Sequence, residues 1–475
     1  MKHKECAYGG RFLPMESIET LRKEFKEGRQ VKIAGRLMSR RIMGKSTFSD
    51  LKDQNGRIQI YAKKDVLGEE LYHVFTSLNI GDILGIEGIL FTSKTGEPTV
   101  RIENFKVLST IVRTLPEKWH GLKDIETRYR HRYVDLIVND DVRKIFKKRS
   151  DIIRGIRQFL DDRGFMEVET PMMQPIPGGA RAKPFVTHHN ALHTDLYLRV
   201  APELYLKRLL VGGFEKVYEI NRNFRNEGVS VRHNPEFTML EVYQAYADYT
   251  DMMEITEELI SGLVKECYGK EEIPFGDKTL NFKRPWKRIS FYDAIQEKTG
   301  IDFRKIKIRE GAKKLKIERL SELNEMEEVD ILNEIFDEVL QDELWHPTFV
   351  IDYPTVMTPL AKAKEEDPDL VYRFELFIAK MELANAFSEL NDPMIQRERL
   401  TVQKEMIGEH KVIDEDFLMA LEYGMPSAGG LGIGIDRLVM LLTNQHSIRE
   451  VILFPQLKPE KPVADLDGDD DEGKK

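Results

Sequence analysis

The stretch that decides the fold is Phe224-Arg225-Asn226-Glu227-Gly228, followed by Arg232-His233-Asn234-Pro235-Glu236-Phe237-Thr238-Met239-Leu240-Glu241. Alternating apolar and polar residues predict strands at residues 217–220 and 236–244, joined by a long loop. In the second strand the period of two places on one face Phe237, Met239, Glu241 and Tyr243. A carboxylate and a phenol beside an aromatic ring are unusual in a core, where charges are rarely buried unpaired. The loop's arginines, asparagines and histidine suit a phosphate or a nucleobase, and the structural alternative is a salt-bridged surface hairpin.

Two later stretches also carry residue types that suit a nucleotide. The first runs Arg373-Phe374-Glu375-Leu376-Phe377, then Glu382, then Asn385-Ala386-Phe387-Ser388-Glu389-Leu390-Asn391-Asp392. Hard carboxylate oxygens such as those of Glu375 and Glu382 suit magnesium on a triphosphate, although two glutamates alone are a weak signal. The second runs Ala428-Gly429-Gly430-Leu431-Gly432-Ile433-Gly434-Ile435-Asp436-Arg437 and precedes an apolar helix. Its glycines allow close backbone approach, but it is neither a P-loop nor a dinucleotide fingerprint, and a tight structural turn is the alternative.

Upstream of these stretches, residues 140–164 predict an amphipathic helix with apolar residues at helical spacing. Asp140 or Asp141 is the candidate cap at its start, and Gly164 is the candidate end. Residues 165–170 predict a strand that stops at Pro171. Helices near residues 251–268 and 325–343 are predicted to be packing elements.

The N-terminal part of the chain has a different pattern. Residues 30–109 contain about five short alternating strands with turn residues between them, which predicts a small closed barrel of the oligonucleotide-binding type. Any other small β-domain is the alternative. Lys and Arg far outnumber Asp and Glu between residues 22 and 64, so this part suits either a phosphate backbone or plain solvent exposure.

Bulk composition sets outer limits on the protein class. A chain of 475 residues predicts more than one domain, and a net charge of -9 argues against nucleic-acid binding by the whole surface. Two distant cysteines, Cys6 and Cys267, supply neither a disulfide framework nor a zinc site. No apolar run reaches membrane-spanning length and no secretory signal is apparent, so a cytoplasmic protein without a membrane partner is expected.

Three regions of the chain, taken in sequence order, resemble the three signature motifs of the class II aminoacyl-tRNA ligases. The helix and strand that end at Pro171 resemble motif 1, which in that family forms the dimer interface. The stretch from Phe224 to Glu241 resembles motif 2, and the stretch from Gly432 to Arg437 resembles motif 3. Five further stretches are similar to the lysine-specific family: Gly164-Phe-Met-Glu-Val-Glu-Thr-Pro-Met-Met, Ile176-Pro-Gly-Gly-Ala, Ala201-Pro-Glu-Leu-Tyr-Leu-Lys-Arg-Leu, Arg232-His-Asn-Pro-Glu-Phe-Thr-Met-Leu-Glu and Phe387-Ser-Glu-Leu-Asn-Asp-Pro.

The resemblance covers about residues 31–457 and implies a multidomain α+β protein that forms a homodimer. It implies an OB-fold anticodon-binding barrel followed by a catalytic domain with an antiparallel sheet flanked by helices. The expected boundaries are an ill-defined segment at 1–20, the barrel at 21–112, a linker at 113–138, the catalytic domain at 139–460 and an acidic disordered tail at 461–475.

The implied reaction has two steps, in which lysine and ATP form lysyl-adenylate and lysine is then transferred to the 3′ end of tRNA(Lys). Arg225 and Arg437 are the implied catalytic residues, and Phe237 and Arg437 are expected to sandwich the adenine. Magnesium is expected on Glu375 and Glu382. The full ATP set that the resemblance implies is Arg225, Glu227, His233, Asn234, Phe237, Glu375, Glu382 and Arg437.

The resemblance also implies contacts for lysine and for the anticodon. Glu203 is expected near the α-amino group of lysine, and Glu241 and Glu389 near its side-chain ammonium. The full lysine set is Gly179, Glu203, Glu241, Tyr243, Asn385, Phe387 and Glu389. Anticodon contacts are expected from Arg41, Phe48 and Gln59 of the barrel.

Three rival interpretations remain at this stage. A ligase for aspartate or asparagine would need basic groups for its substrate, which Glu241 and Glu389 are not. The enzyme that lysylates elongation factor P resembles the catalytic domain but lacks the barrel. A catalytically inactive RNA-binding paralogue would be indicated by loss of Arg225, Glu382 or Arg437, all of which are present. One departure concerns the lysine pocket, because many bacterial relatives have glycines at four positions: Ala379, Lys380, Ala384 and Ala386.

Overall fold

The computed structural model describes residues 9–116, 124–180, 182–315, 317, 326–407 and 412–459, without the side chains of residues 403–407. The acidic tail expected at residues 461–475 lies outside these ranges. The chain divides into two compact units, Met1–Lys123 and Asp124–Lys475, which are described separately.

The first unit is a closed five-stranded barrel with strand order β1-β2-β3-β5-β4. Its elements are α1 (Ile18–Lys23), β1 (Gln30–Met43), β2 (Ser46–Lys52), β3 (Arg57–Lys63), α2 (Lys64–Ser77), β4 (Ile83–Thr92) and β5 (Pro98–Ser109). The inward positions are apolar and fully buried, as at Ile33, Ile58 and Ile60, while alternate positions face outward. The predicted barrel is therefore confirmed. Helix α2 was not predicted from the sequence, and it packs on the barrel through Tyr72 and Phe75.

Irregular chain on the barrel surface precedes the first helix. The main-chain N–H of Gly9 donates to Leu108 O (3.0 Å), and that of Met15 donates to Lys32 O (2.8 Å). The ring of Phe12 lies against Gly85, where a Cβ would come within 2.6 Å of it. Main-chain bonds of this kind leave no periodic pattern in the sequence, which is why residues 1–20 looked ill-defined.

The second unit is built around an eight-stranded sheet with strand order β14-β15-β16-β17-β18-β11-β10-β6. The strands of this unit are β6 (Met166–Glu167), β7 (Met173–Gln174), β8 (Val186–His189), β9 (Thr194–Leu198), β10 (Lys216–Phe224), β11 (Glu236–Ala245), β12 (Glu272–Phe275), β13 (Lys278–Asn281), β14 (Lys287–Ser290), β15 (Thr348–Pro354), β16 (Leu370–Ile378), β17 (Met381–Ser388) and β18 (Ala428–Gly434). The sheet is antiparallel, as predicted, except at its two edges, where β6 pairs with β10 and β14 pairs with β15 in parallel.

Helices cover both faces of this sheet. They are α3 (Ile125–Arg130), α4 (Arg132–Val138), α5 (Asp140–Asp161), α6 (Glu203–Val211), α7 (Tyr249–Tyr268), α8 (Phe291–Thr299), α9 (Ile308–Ala312), α10 (Glu328–Val339), α11 (Pro393–Ile407), α12 (Glu415–Glu422), α13 (Ile435–Leu442) and α14 (Ile448–Val451). One core cluster joins α5, α7 and α13 to the sheet, and another joins α6, α8 and α10 to it. None of the described helices combines the length and the apolar character needed to cross a membrane.

The motif 1 region differs in detail from the sequence prediction. The residue at the start of α5 is Asn139, and no side chain caps this end, so neither Asp140 nor Asp141 is the cap. Both aspartates lie in the first turn, where the helix dipole favours negative charge. The strand predicted at residues 165–170 is reduced to the two residues of β6, because β6 is the edge strand and meets β10 at only two residue pairs.

The stretch expected as a linker, residues 113–138, contains α3 and α4 of the second unit. Arg132 on α4 is completely buried, and its guanidinium donates to Asp135 Oδ2 (2.7 Å), Arg449 O (2.7 Å) and Leu453 O (3.2 Å). These bonds fix the two helices beside α14, so the end of this stretch is structured rather than a free connection.

Candidate active site

A cavity of about 1000 Å³ opens over β11, β16, β17 and β18 in the middle of the large sheet. This volume suits a nucleotide together with a small second ligand. The predicted site residues that line it are Gly179, Glu203, Arg225, Glu227, His233, Asn234, Phe237, Glu241, Tyr243, Glu375, Glu382, Asn385, Phe387 and Arg437. Glu389 lies just behind the wall and is 1% exposed. The structure thus brings together, from five separate stretches, the residues that the motifs had singled out.

The register of the sheet explains how one end of the cavity is shaped. Glu241 and Tyr243 on β11 lie opposite Gly432 and Gly430 on β18. A Cβ on Gly430 would lie 1.9 Å from Glu389 Oε1, so only glycine leaves room for that carboxylate. Gly430 was missed as a site residue, although the alternate glycines of β18 are the signal that indicates it.

Arg225 lies at one end of the cavity, partly buried, on the long loop after β10. Its guanidinium carbon is 5.1 Å from the centre of the Phe237 ring. Burial lowers the pKa of Arg225, while the carboxylates of Glu382 and Glu227 act in the opposite direction and favour the charged form. Within the part of the chain that the structure describes, Arg225 Nε has no hydrogen-bond partner, so a donor is left for a ligand oxygen.

Arg437 lies beside Arg225 and bridges two other predicted residues. Its Nη1 donates to Glu382 O (2.5 Å) and lies 3.4 Å from Glu382 Oε2. Its Nη2 lies 3.3 Å from His233 Nε2. Because a guanidinium can only donate, His233 Nε2 is the acceptor and carries no proton. Burial and the charge of Arg437 both lower the pKa of His233, which agrees with a neutral ring.

Asn234 is held by the protein backbone at both ends of its amide. Nδ2 donates to Glu236 O (2.5 Å), and Oδ1 accepts from the N–H of Gln456 (3.0 Å). The amide therefore anchors the end of the motif 2 loop. The amide keeps a second N–H and a second lone pair, and Asn234 lines the cavity, so the contact to ATP that the motif predicts stays a prediction.

Two carboxylates face each other across β16 and β17. Glu375 accepts from Tyr353 Oη (2.7 Å), and its other oxygen is ion-paired with Arg373. Burial raises the pKa of Glu375, Arg373 opposes this, and the charge of Glu382 adds to it. No group of three or more acidic, His or Cys ligands occurs among the described residues. Magnesium in nucleotide sites uses one or two carboxylates plus phosphate oxygens, so this pair fits that cation.

The opposite end of the cavity holds three buried carboxylates, those of Glu203, Glu241 and Glu389. Tyr243 Oη donates to Glu241 Oε2 (3.1 Å). Burial, reinforced by the charge of Glu203, raises the pKa of Glu241 to about 8. Burial also raises the pKa of Glu389 to about 8, although the ammonium of Lys207 opposes the shift. Carboxylates in such a site favour a cationic ligand.

The departure noted at β17 touches the cavity at one position. Asn385 and Phe387 face the cavity, and Ala386 belongs to the core on the opposite face of the sheet. Ala384 also belongs to that core, but it lines the cavity as well. Ala379 lies with Lys380 in the turn between β16 and β17, where both residues have positive φ (51° and 63°). Glycine is favoured at such positions for its backbone freedom, so the glycines of relatives there are explained by the turn.

Sequence reasoning missed a buried node that joins the three motifs. Arg149 on α5 lies 2.7 Å from Asp436 Oδ1 and donates to Thr238 Oγ1 (3.1 Å). Asp436 Oδ2 accepts from the N–H of Thr238 (2.7 Å). Thr238 and Asp436 directly adjoin Phe237 and Arg437, so this node fixes the relative position of the two residues predicted to hold the adenine. Asp436, a charge inside an otherwise apolar run, was the available signal.

On the barrel, four residues form one row across the outer face of the strands. In register, Arg41 on β1 pairs with Phe48 on β2, which pairs with Tyr61 on β3, which pairs with Arg101 on β5. The Phe48 and Tyr61 ring centres are 4.7 Å apart. Gln59 lies one row away and accepts from Thr99 Oγ1 (3.0 Å). Two aromatic rings between two arginines suit stacked bases and their phosphates, and Tyr61 and Arg101 were not predicted.

Comparison with known proteins now defines the class. Residues 124–458 match the family of tRNA synthetases class II (D, K and N), and residues 31–108 match the OB-fold nucleic acid binding domain. The fold and the site are therefore those of a class II tRNA synthetase with an OB-fold domain, which confirms the predicted fold class.

The relatives narrow the assignment further. The chain is 58% identical over 462 residues to the lysine–tRNA ligase of Pelotomaculum thermopropionicum, covering 95% of this chain and 91% of that protein. It is 56% identical to the lysine–tRNA ligase of Carboxydothermus hydrogenoformans (95% and 94% covered) and 52% identical to that of Moorella thermoacetica (96% and 94% covered). The chain belongs to the lysine–tRNA ligase family and is an aminoacyl-tRNA ligase, which confirms the family that the motifs indicated.

Proposed function

We propose that this enzyme activates lysine with ATP as lysyl-adenylate and then transfers lysine to the 3′ end of tRNA(Lys). The observation that supports this proposal best is the polarity of the cavity. Two arginines, Arg225 and Arg437, lie at one end beside the carboxylates that could take magnesium, and three buried carboxylates lie at the other. ATP brings negative charge to the first end, and lysine brings two ammonium groups to the second.

At the nucleotide end, the adenine would lie between the Phe237 ring and the Arg437 guanidinium. Glu227 would accept from the adenine amino group, and the neutral ring of His233 would reach the outer phosphates. Arg225 would contact the α-phosphate, where negative charge shifts as lysine attacks. In this structure Arg225 itself covers Phe237, so it would have to move toward the phosphate when the adenine enters.

We propose Glu375 and Glu382 as the residues that would hold magnesium on the triphosphate. When bound, the ion would neutralise charge on the departing pyrophosphate. Arg373 and Tyr353 hold the Glu375 carboxylate in a fixed position by an ion pair and a hydrogen bond. Glu382, which is partly exposed, is positioned by Arg437.

The reaction needs no side-chain nucleophile. The carboxylate oxygen of lysine attacks the α-phosphorus of ATP and pyrophosphate leaves; a ribose hydroxyl of the tRNA then takes the lysyl group and AMP leaves. The protein contributes orientation and electrostatic stabilisation. Within this scheme Glu203 receives the α-amino group of lysine, while Glu241 and Glu389 lie toward the side-chain ammonium, with Gly179, Tyr243, Asn385 and Phe387 forming the surrounding wall.

These carboxylates also argue against the closest rivals. Aspartate would place a negative side chain against Glu241 and Glu389, and asparagine would bring no cation to Glu241. Leaving a buried charged group unpaired costs several kcal/mol. A cost of about 4 kcal/mol corresponds to about 1000-fold discrimination between the two amino acids.

ATP–pyrophosphate exchange without tRNA tests the proposed function. With magnesium and each of the twenty amino acids in turn, we expect exchange with lysine alone, because only lysine brings a second ammonium group to the acidic end. Exchange with aspartate or asparagine would show that the acidic end was misassigned. Exchange with no amino acid would favour a catalytically inactive RNA-binding paralogue instead.

We propose the outer row of the barrel, with Arg41, Phe48 and Gln59, as the anticodon contact. Replacing Phe48 with alanine is expected to raise the KM for tRNA about tenfold, because base stacking on an aromatic ring contributes about 1–3 kcal/mol. Adenylate formation, measured by pyrophosphate exchange, should stay at the wild-type rate.

Two matched variants separate stacking from packing at this position. Phe48→Leu keeps apolar bulk against Tyr61 but removes the π face, and it should lose as much tRNA affinity as Phe48→Ala. Phe48→Tyr keeps the ring and should behave like the wild type. Equal damage to exchange and to tRNA charging in Phe48→Leu would reject the assignment.

We also propose a homodimer that works in the cytoplasm, with a barrel domain followed by a catalytic domain that includes α3 and α4. Exposed apolar side chains near the motif 1 strand support the dimer: Met166, Met173 and Val186 are all more than half exposed. Sedimentation velocity would measure its mass, and a monomer at micromolar concentration would contradict the proposal.

A further inference from the structure

A lysine of the chain itself lies behind the wall of the cavity at its acidic end. Lys207 on α6 is 0% exposed, and its Nζ is 2.7 Å from Glu203 Oε1 and 2.5 Å from Glu389 Oε2. The rings of Phe387 and Phe417 lie 5.4 and 6.0 Å from the same nitrogen. Lys207 therefore occupies the gap between two of the three carboxylates that were assigned to the substrate.

The local structure explains this placement. Glu203 and Lys207 are four residues apart on α6, so their side chains lie on the same face of the helix. Glu389 follows β17, and its backbone N–H donates to Ala428 O (2.8 Å), which fixes the chain beside β18. Gly430 leaves the space that the Glu389 carboxylate fills. An ammonium buried among aromatic rings is tolerated only with such partners.

The charged state of Lys207 follows from its neighbours. Burial alone would lower the pKa of Lys207, but the charges of Glu203 and Glu389 outweigh it and raise the pKa above the ordinary value. Lys207 is thus a resident cation at neutral pH. The charged and titratable groups that face this end from the surrounding elements are Glu203 and Lys207 of α6, Glu241 and Tyr243 of β11, Glu389 after β17, and the Arg199–Glu219 ion pair behind Glu241.

A charge count then connects Lys207 to the substrate. Arg199 and Glu219 cancel one another at 2.7 Å, and the Tyr243 phenol is neutral. The three carboxylates minus the one resident ammonium leave two negative charges when all are ionised. Lysine brings two ammonium groups to this end, while its carboxylate is directed toward ATP, so the carboxylates and ammonium groups of the occupied pocket balance.

We infer that Lys207 is a specificity-determining positioning residue, which sets the charge of the pocket to match a diamino acid and holds Glu389 and Glu203 in place. This inference rests on the proposed function, since it concerns the same lysine pocket. In the empty wild-type pocket burial already favours the protonated forms of Glu241 and Glu389, and the Lys207 ammonium opposes this at Glu389. Without the resident ammonium the carboxylates would hold more protons at neutral pH, and lysine would have to displace more of them in order to bind.

The test measures lysine and ATP kinetics by pyrophosphate exchange between pH 7 and pH 9. In Lys207→Met we expect the KM for lysine at pH 7 to rise at least about tenfold, with the KM for ATP within about twofold of the wild type. The ratio of the variant's lysine KM to the wild-type lysine KM should fall as the pH rises. At higher pH the carboxylates are already ionised, so lysine no longer has to displace protons.

A double variant distinguishes charge balance from simple packing. Lys207→Met combined with Glu389→Gln restores two negative charges, so it should bind lysine more tightly than Lys207→Met alone. If Lys207→Met does not fold, as judged by thermal unfolding, Lys207→Gln takes its place in the same comparison. A lysine KM equal to the wild type would overturn the inference. An equal rise in the KM for lysine and for ATP, without pH dependence, would overturn it as well. So would a double variant with a higher KM for lysine than Lys207→Met alone.

The wild-type enzyme separates this inference from the proposed function. If the wild-type protein shows no lysine-dependent exchange, the proposed function fails, whatever the variants do. If it exchanges with lysine while Lys207→Met keeps the wild-type lysine KM and pH profile, only the role of Lys207 fails.

Discussion

Replacing Arg225 with methionine is expected to lower kcat for lysine-dependent pyrophosphate exchange by about two to three orders of magnitude. Arg225 is partly buried in the cavity, and no described residue accepts a hydrogen bond from its Nε. A donor that meets charge developing in the transition state contributes about 10²–10³ in kcat. Because the contact strengthens as charge shifts onto the α-phosphate, kcat should fall much more than the KM for ATP rises.

Arg222→Met is the matched control for this prediction. Arg222 lies three residues earlier on β10, and its half-exposed side chain is 3.7 Å from Glu236 and does not line the cavity. Exchange by this variant should match the wild type. If Arg225→Met instead raises the KM for ATP and leaves kcat unchanged, Arg225 contributes only to ground-state binding of the nucleotide.

Replacing Glu241 with glutamine is expected to lower kcat/KM for lysine by roughly a hundredfold, which corresponds to about 3 kcal/mol. The variant keeps the shape of the side chain and removes one of the buried charges that would meet the ammonium groups. The KM for ATP should change little, because Glu241 lies at the opposite end of the cavity from Arg437. Exchange kinetics with lysine and ATP varied separately measure both effects.

The same variant should change the pH profile. In the wild-type enzyme burial raises the pKa of Glu241 to about 8, so this carboxyl is mostly protonated below pH 8 in the empty pocket. Lysine binds the ionised form, so the KM for lysine should fall as the pH rises from 7 toward 8. Glu241→Gln cannot titrate, and this part of the pH dependence should be lost.

Glu236→Gln is the control on the same strand. Glu236 begins β11, and its side chain is more than half exposed and faces Arg222 rather than the cavity. It should retain both the wild-type kcat/KM and the wild-type pH profile. An unaltered pH profile in Glu241→Gln would assign the titration to another carboxyl, and Glu389 would be the next candidate.

The sequence by itself determined the type of each main element and the identity of the chemical groups. Alternation in residues 236–244 predicted β11 and the face shared by Phe237, Glu241 and Tyr243, because side chains alternate along any strand. The helical period of residues 140–164 predicted α5, and the alternate apolar residues Ile58 and Ile60 predicted a barrel interior. These patterns are local, so they can be recognised without knowing which elements pack against one another.

Only the tertiary structure decided how the polar groups are partnered. No role was assigned to Lys207 from the sequence, yet it pairs with Glu389, a residue 182 positions further along the chain (389 − 207). Arg149 of α5 bridges Thr238 and Asp436 of the other two motifs, and the amide of Asn234, which lines the cavity, is also bound to backbone. Such partnerships depend on strand register and on long-range packing, whose free energies no local pattern records. The sequence therefore determined which charges are present, and the fold decided which of them remain available to a substrate.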